Sequence, residues 1–308
     1  MKLLLTGAFK YTDQQIEYLK SLGNDIVYVQ DERKKIDFDV SDIEGVVCNG
    51  LFLYNDIRHF KKLKYIQLTS AGFDRVPIDY INEHEIKIYN ARGVYSIPMA
   101  EFALCGVLQL IKQSRLFYKN QNNHIWEKSR TLGELSGKTV LIVGAGNIGS
   151  EVAKRFSAFD ASVIGVDITD DDRKYFDKVE LLDNLDEQLK IADIVILTLP
   201  LTDSTREMFD KSKFDLMKKS SIFVNIARGP LVVESDLINS LKSGDISGAV
   251  LDVFGKEPLN ENSPLWDMDN VILTPHNSFV GENNNKRMFD VIVKRLESNE
   301  LCKNTRII

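Results

Sequence analysis

Apolar positions in the first third of the chain come in short runs, LLLTGA, DIVYV, GVVCNG, YIQLTSAG and IKIYNARG, separated by polar stretches such as TDQQIEYLKSLG. This alternation predicts parallel strands joined by helices, a small α/β domain. Past Ile97 the pattern changes. Pro98 suits the first turn of a helix, and PMAEFALCGVLQLIKQSRLFYKN then carries apolar residues around most of its circumference, predicting one unbroken, buried helix. After a polar stretch containing Trp126, LSGKTVLIV opens a second strand-helix series that continues through SVIGVDI, DIVILTLP, SIFVNIARG, SGAVLDVF and VILTPH. Beyond Val280, ENNNKRMFDVIVKRLESNE is amphipathic and is predicted to return to the first domain.

Composition narrows the picture mildly. With 308 residues, 44% hydrophobic and 27% charged, the chain can fill two cores. A net charge of -6 and a pI near 5.4 leave no basic excess, so neither nucleic acid nor membrane is an expected partner. MKLLLTGAF is too short an apolar run for a signal peptide, and no run is long enough to span a bilayer, so a cytoplasmic location is expected. Cys48, Cys105 and Cys302 are odd in number and far apart, which predicts neither a disulfide framework nor a metal site, with Cys105 in the core.

The second series carries a phosphate-binding signature. Gly144, Gly146 and Gly149, with Asn147 and Ile148 between the last two, follow the strand TVLIV and open the helix SEVAKRF. In this order the glycines permit a tight turn, a close approach of backbone N–H groups to a pyrophosphate, and close helix-strand packing. The next strand ends at Asp167, where a carboxylate can accept from the adenosine ribose and repel a 2′-phosphate; NAD is the expected cofactor. Asp170, Asp171 and Asp172 read as a solvated loop. The expected fold is α/β, two doubly wound parallel-sheet domains with a cleft between them. Residues 1–97 with 281–308 would form a flavodoxin-like substrate domain, and 98–280 a Rossmann cofactor domain.

Three later residues supply what reduction of a 2-keto acid requires besides a hydride. Arg228 can fork to a carboxylate and polarise the carbonyl, His276 can deliver the proton, and Glu257 can hold the other ring nitrogen and favour the protonated form. Singly, each would pass as a turn, loop or strand-end residue. Together they lie just beyond apolar runs, and the carboxyl ends of strands are where open α/β sheets bind ligands.

At these residues the chain resembles the D-isomer-specific 2-hydroxyacid dehydrogenases, which include phosphoglycerate, hydroxypyruvate, glyoxylate and D-lactate dehydrogenases. The motifs N-x-A-R-G, D-V-F-x-x-E-P and T/S-P-H carry the likeness, and by that resemblance Arg228, Glu257 and His276 are catalytic. It further implies that the backbone of Ser70, Ala71 and Gly72, followed by Phe73 and Asp74, holds the substrate carboxylate together with Arg228. Pro200, Ala227 and Asp252 would contact the nicotinamide half, and Leu199, Thr205, Ile226, Arg228 and His276 complete the implied cofactor contacts. Asn90 and Ala100-Glu101-Phe102 take structural roles. The implied partners are a small 2-keto or D-2-hydroxy acid and, through the helix after Pro98, a second copy in a two-fold homodimer.

Departures from the family pattern bear on substrate. Phosphoglycerate dehydrogenases have arginines in the turn after the third strand, whereas CNGLFLYND offers Leu51 and Phe52 and no base, so a phosphorylated substrate is not expected. No regulatory extension follows the return helix, so serine feedback is not expected either. Glutamate at 257, where formate dehydrogenases have glutamine, disfavours that reaction. Asn277 and Phe279 replace a common glycine-rich ending, and Arg92 makes a second A-R-G whose role the sequence leaves open. The particular keto acid (glyoxylate, hydroxypyruvate, pyruvate and branched-chain acids among them) and the preferred direction are also open. The rival reading is a nicotinamide-sensing binding protein of the corepressor type, separated from an enzyme by turnover with a keto acid.

Overall fold

The computed structural model describes residues 1–297; Cys302 and the last residues of the expected return helix lie outside them. The chain divides into two compact units, Met1–Tyr95 with the segment from Gly281, and Ser96–Val280.

The first unit is a five-stranded parallel sheet. Its elements are β1 (Lys2–Thr6), α1 (Asp13–Ser21), β2 (Asp25–Val29), β3 (Gly45–Cys48), β4 (Tyr65–Leu68), α2 (Ile78–Glu83) and β5 (Lys87–Tyr89). The order β2-β1-β3-β4-β5 is the flavodoxin-like winding, with its switch point between β1 and β3. Because successive side chains point to opposite faces, the apolar runs feed two cores. Leu4, Val46, Cys48, Ile66 and Leu68 pack on one side with Ile81 of α2. Leu3, Leu5, Val47 and Tyr65 pack on the other with Leu19 of α1 and with Met288 and Ile292 of the C-terminal helix (Asn284–Glu297), an i, i+4 pair that anchors the returning segment. A capping box starts α1: Thr12 accepts from the Gln15 N–H, and the Gln15 side chain accepts from the Thr12 N–H.

The second unit begins with α3 (Ser96–Ile111) and α4 (Ser114–Asn122), followed by β6 (Thr139–Val143), α5 (Asn147–Ser157), β7 (Ser162–Asp167), β8 (Lys178–Leu181) and α6 (Leu185–Ile191). It ends with β9 (Ile194–Leu197), α7 (Lys211–Leu216), β10 (Ile222–Asn225), α8 (Glu234–Ser243), β11 (Gly248–Leu251) and β12 (Val271–Leu273). The order β12-β11-β10-β9-β6-β7-β8, all parallel, is the Rossmann winding with its switch point between β6 and β9. Strand β8 had no counterpart in the apolar runs. Only Val179 of KVEL is buried, as befits an edge strand.

The expected single helix after Pro98 is broken. Gln113 sits in the left-handed region at φ 51, so α3 and α4 are separate. The junction is fastened to the segment that returns past Trp126: Gln113 Nε2 donates to Thr131 Oγ1, Ser129 Oγ donates to Gln113 Oε1, and Lys112 Nζ donates to the Gly133 carbonyl. Long-range hydrogen bonds thus override local helix propensity. Helix α3 packs on α5 and across β10 to β12. A Cβ on Gly106 would lie 2.5 Å from Val250 Cγ1, so glycine sets that close approach. Cys105 lies on the exposed side of α3, contrary to the expected core position. Glu101 of α3 pairs with Arg155 of α5 at 3.0 Å, a structural role as expected for that stretch.

Candidate active site

The glycine fingerprint occupies the β6/β9 switch point. Gly144 has φ 101, and a Cβ there would lie 2.6 Å from the Leu199 nitrogen, so the turn after β6 rests directly on the loop after β9. On Gly149 a Cβ would meet the Gly144 carbonyl at 2.2 Å, whereas on Gly146 it would enter open space. Gly146 caps α5 without a side-chain hydrogen bond, and the first-turn N–H groups of Asn147, Ile148 and Gly149 donate to no acceptor among the described residues. A cradle with an open floor at Gly146 and unclaimed N–H groups fits a dinucleotide pyrophosphate.

Asp167 ends β7 as expected, but it is not alone. Its Oδ2 accepts from the Ala145 N–H at 2.9 Å and from Arg173 Nη1 at 2.7 Å, and its Oδ1 accepts from its neighbour Ile168. Arg173 also donates to the Ala145 carbonyl and to Thr169 Oγ1, tying the acid to the glycine turn. Sequence reasoning missed Arg173. Its one available signal was the pair of bases Arg173-Lys174 directly after three aspartates that are indeed exposed.

Arg228, Glu257 and His276 follow the neighbouring strands β10, β11 and β12, all at the carboxyl edge of this sheet. Gly229 brings the first two loops together, since a Cβ on it would lie 1.9 Å from the Phe254 carbonyl. The Arg228 guanidinium is half-buried, donates to the Ala227 carbonyl at 2.8 Å, and pairs with no carboxylate among the described residues. His276 Nδ1 lies 2.8 Å from Glu257 Oε2, while Glu257 Oε1 accepts from the Phe254 N–H at 3.1 Å. Phe279 packs edge-on to the His276 ring at 6.0 Å between centroids.

His276 has φ 51, a conformation that costs a β-carbon residue some strain and persists only where neighbours enforce it. Asp252 is the enforcer. Its fully buried carboxylate accepts from Thr274 Oγ1 at 2.6 Å, the Asn277 N–H at 2.7 Å and the Ser278 N–H at 2.9 Å, and its carbonyl accepts from the His276 N–H at 2.8 Å. Asp252, expected among the cofactor contacts, directs its carboxylate to the segment that bears His276. Thr205 is likewise engaged internally, donating to the Pro200 carbonyl at 2.8 Å. Ile226 and Ala227 are buried at the end of β10, and Pro200 is exposed.

Ser70, Ala71 and Gly72 belong to the first unit, at the end of β4. Asn90 Nδ2 donates to the Ala71 carbonyl at 2.6 Å, Ser70 Oγ donates to the Gly72 carbonyl at 3.1 Å, and the Tyr95 hydroxyl donates to the Thr69 carbonyl. Burial pushes the Tyr95 phenol above its usual range, keeping it a donor. The N–H groups of Ala71 and Gly72 donate to no acceptor among the described residues and are open to an anion.

A Rossmann sheet with a pyrophosphate cradle and an imidazole-carboxylate pair on the same edge describes a dinucleotide-dependent acid-base site. Residues 104–278 match the D-isomer specific 2-hydroxyacid dehydrogenase, NAD binding domain. The chain is 33% identical to a D-3-phosphoglycerate dehydrogenase of Methanocaldococcus jannaschii over 99% of its own length, spanning 59% of that relative. It is 35% identical to a glyoxylate reductase of Thermofilum pendens over 76% of this chain and 71% of that one. In structure it resembles the NADPH-dependent glyoxylate/hydroxypyruvate reductase of Sinorhizobium meliloti, solved with NADP and sulfate, at TM-score 0.78 and 25% identity, covering 96% and 93% of the two chains. The chain belongs to the D-isomer specific 2-hydroxyacid dehydrogenase family, a family of oxidoreductases, and its second unit carries that family's NAD-binding domain.

Proposed function

We propose that the protein is an NAD-dependent D-2-hydroxyacid dehydrogenase that reduces a small 2-keto acid. The observation that carries this reading is the His276–Glu257 contact of 2.8 Å on the sheet edge that also bears the glycine cradle. When bound, the nicotinamide donates or accepts the hydride. His276 Nε2 hands a proton to the carbonyl oxygen, while Glu257 on Nδ1 fixes the ring and stabilises its positive charge. Arg228, with no carboxylate partner among the described residues, forks to the substrate carboxylate and polarises the carbonyl. By the family resemblance, the Ala71 and Gly72 N–H groups of the first unit are assigned to the substrate carboxylate as well. Asp252 acts through the backbone of residues 276–278 as a positioning residue. The test is NADH oxidation against a panel of 2-keto acids. Absence of turnover with every acid and either cofactor would leave the sensing, corepressor-type reading in its place.

Cofactor choice rests on Asp167, since the relatives include an NADP-binding enzyme. Arg173 beside the acid softens the repulsion of a 2′-phosphate, so NADH should outperform NADPH by about tenfold to a hundredfold, a few kcal/mol at most. Asp167→Asn leaves Arg173 uncompensated and should cut this ratio by about tenfold or more. Equal wild-type kcat/KM for the two cofactors would refute the assignment.

We further propose a cytoplasmic homodimer; among the described residues no helix is long and apolar enough to cross a membrane. The segment from α4 to Gly133 exposes Leu116, Tyr118, Ile125, Leu132 and, at 98% of its surface, Trp126. Apolar side chains concentrated in one arm suit a self-complementary interface. Sedimentation should show a dimer, and Trp126→Ala with Tyr118→Ala should move it toward monomer. A wild-type monomer at every concentration would contradict the proposal.

A further inference from the structure

Glu32 lies at the carboxyl edge of the first unit's sheet, where β1 and β3 adjoin. Its carboxylate is buried and accepts three hydrogen bonds, from Thr6 Oγ1 at 2.7 Å, the Asn49 N–H at 3.1 Å and the Gly50 N–H at 2.6 Å. None of the three donors is a cation. Successive N–H groups in a turn at a switch point are the fittings of an anion site, and here the chain's own carboxylate fills them. The negative charge registers nearby, since Glu32 adds to the burial that pushes the Cys48 thiol above its ordinary range.

This turn adjoins the proposed carboxylate loop. Cys48 of β3 stands opposite Leu68 of β4, and the Thr69 N–H donates to the Cys48 carbonyl at 2.8 Å, so the Asn49–Gly50 turn and the Ser70–Gly72 loop leave neighbouring strands at the same edge of the sheet. An acid held by the loop would therefore have the Asn49–Gly50 turn as its neighbour on the β3 side. The turn supplies no base: Leu51 is buried, and Phe52 packs against Phe60 at 5.6 Å between ring centroids. It does supply an acceptor, because Asn49 Oδ1 is buried and has no hydrogen-bond partner among the described residues.

We infer that Glu32 is a specificity-determining residue: its fixed negative charge, seated where an anion would bind, excludes 2-keto acids that carry a second anionic group and selects neutral side groups. Asn49 Oδ1 then favours a side group that donates, such as a hydroxyl. The inference rests on the reading of Ser70–Gly72 as the carboxylate cradle.

The experiment measures kcat/KM of the full chain with NADH for pyruvate and hydroxypyruvate against 2-oxoglutarate and phosphohydroxypyruvate. The neutral pair should exceed the anionic pair by about tenfold or more, with hydroxypyruvate above pyruvate. Glu32→Gln keeps the shape and removes the charge, and should raise the anionic-to-neutral ratio by about tenfold. A purely structural Glu32 would instead lower all four together. Should that variant not fold, Asn49→Asp adds a second charge to the same turn and should lower the ratio further, while malonate should inhibit the wild type more weakly than acetate. Turnover that ignores the second charge in the wild type, or a ratio unmoved by either variant, overturns the inference alone. Failure to reduce any keto acid overturns both it and the reading of the site.

Discussion

Arg228→Gln is expected to lower keto acid reduction by about two to three orders of magnitude while NADH still binds. Glutamine keeps one donor but loses the charge and the fork. The guanidinium of Arg228 is half-buried at the end of β10 and among the described residues donates to the carbonyl next to it and no other acceptor, so most of its N–H groups are left for substrate. Interactions with the carboxylate exist in both ground and transition states, and their loss raises KM. The bond to the carbonyl oxygen strengthens as negative charge develops there, and its loss lowers kcat. Both constants should therefore move. Steady-state kinetics with NADH binding followed by fluorescence separate the effects, and near-normal turnover would transfer the role elsewhere, with Arg92 the first residue to replace.

An equally large loss is expected at the proton donor. His276→Ala removes the acid, and reduction should fall by about a hundredfold to ten-thousandfold, in both directions, with NADH binding retained. Glu257→Gln is the finer probe. It preserves the approximate shape of the contact to Nδ1 but replaces a carboxylate 2.8 Å away by a neutral amide. The amide holds the ring less firmly and offers no charge to the imidazolium formed during turnover, so keto acid reduction should fall by about tenfold to a hundredfold while NADH binding is retained. Unchanged kcat/KM would uncouple the two residues and leave Glu257 as a loop acid that accepts from the Phe254 N–H.

Much of the architecture was legible locally. The strands read from GVVC, YIQL and IFVN are buried along their length, and TVLIV from Val140 on, because a strand covered on both faces is apolar at successive positions. The glycine spacing was legible for a similar reason: a φ of 101 at Gly144 and a 2.2 Å clash on Gly149 are demands a single residue type meets. Edge strand β8 escaped because one buried valine makes no run, and the break at Gln113 escaped because nothing in IKQSR opposes a helix.

The sequence by itself determined the two windings, the cradle, and the placing of Arg228, Glu257 and His276 after consecutive strands. Only the tertiary structure decided what surrounds them. Arg173 bridges Asp167 to a turn 22 residues earlier, Asp252 clasps the His276 segment through Ser278 26 residues later, and Glu32 closes a turn 18 residues away. Nothing adjacent in sequence to Arg173, Asp252 or Glu32 names these partners. A strand's apolar run or a glycine's dihedral is a property of adjacent residues, whereas the partner of a carboxylate is set by which loops the sheet order brings side by side.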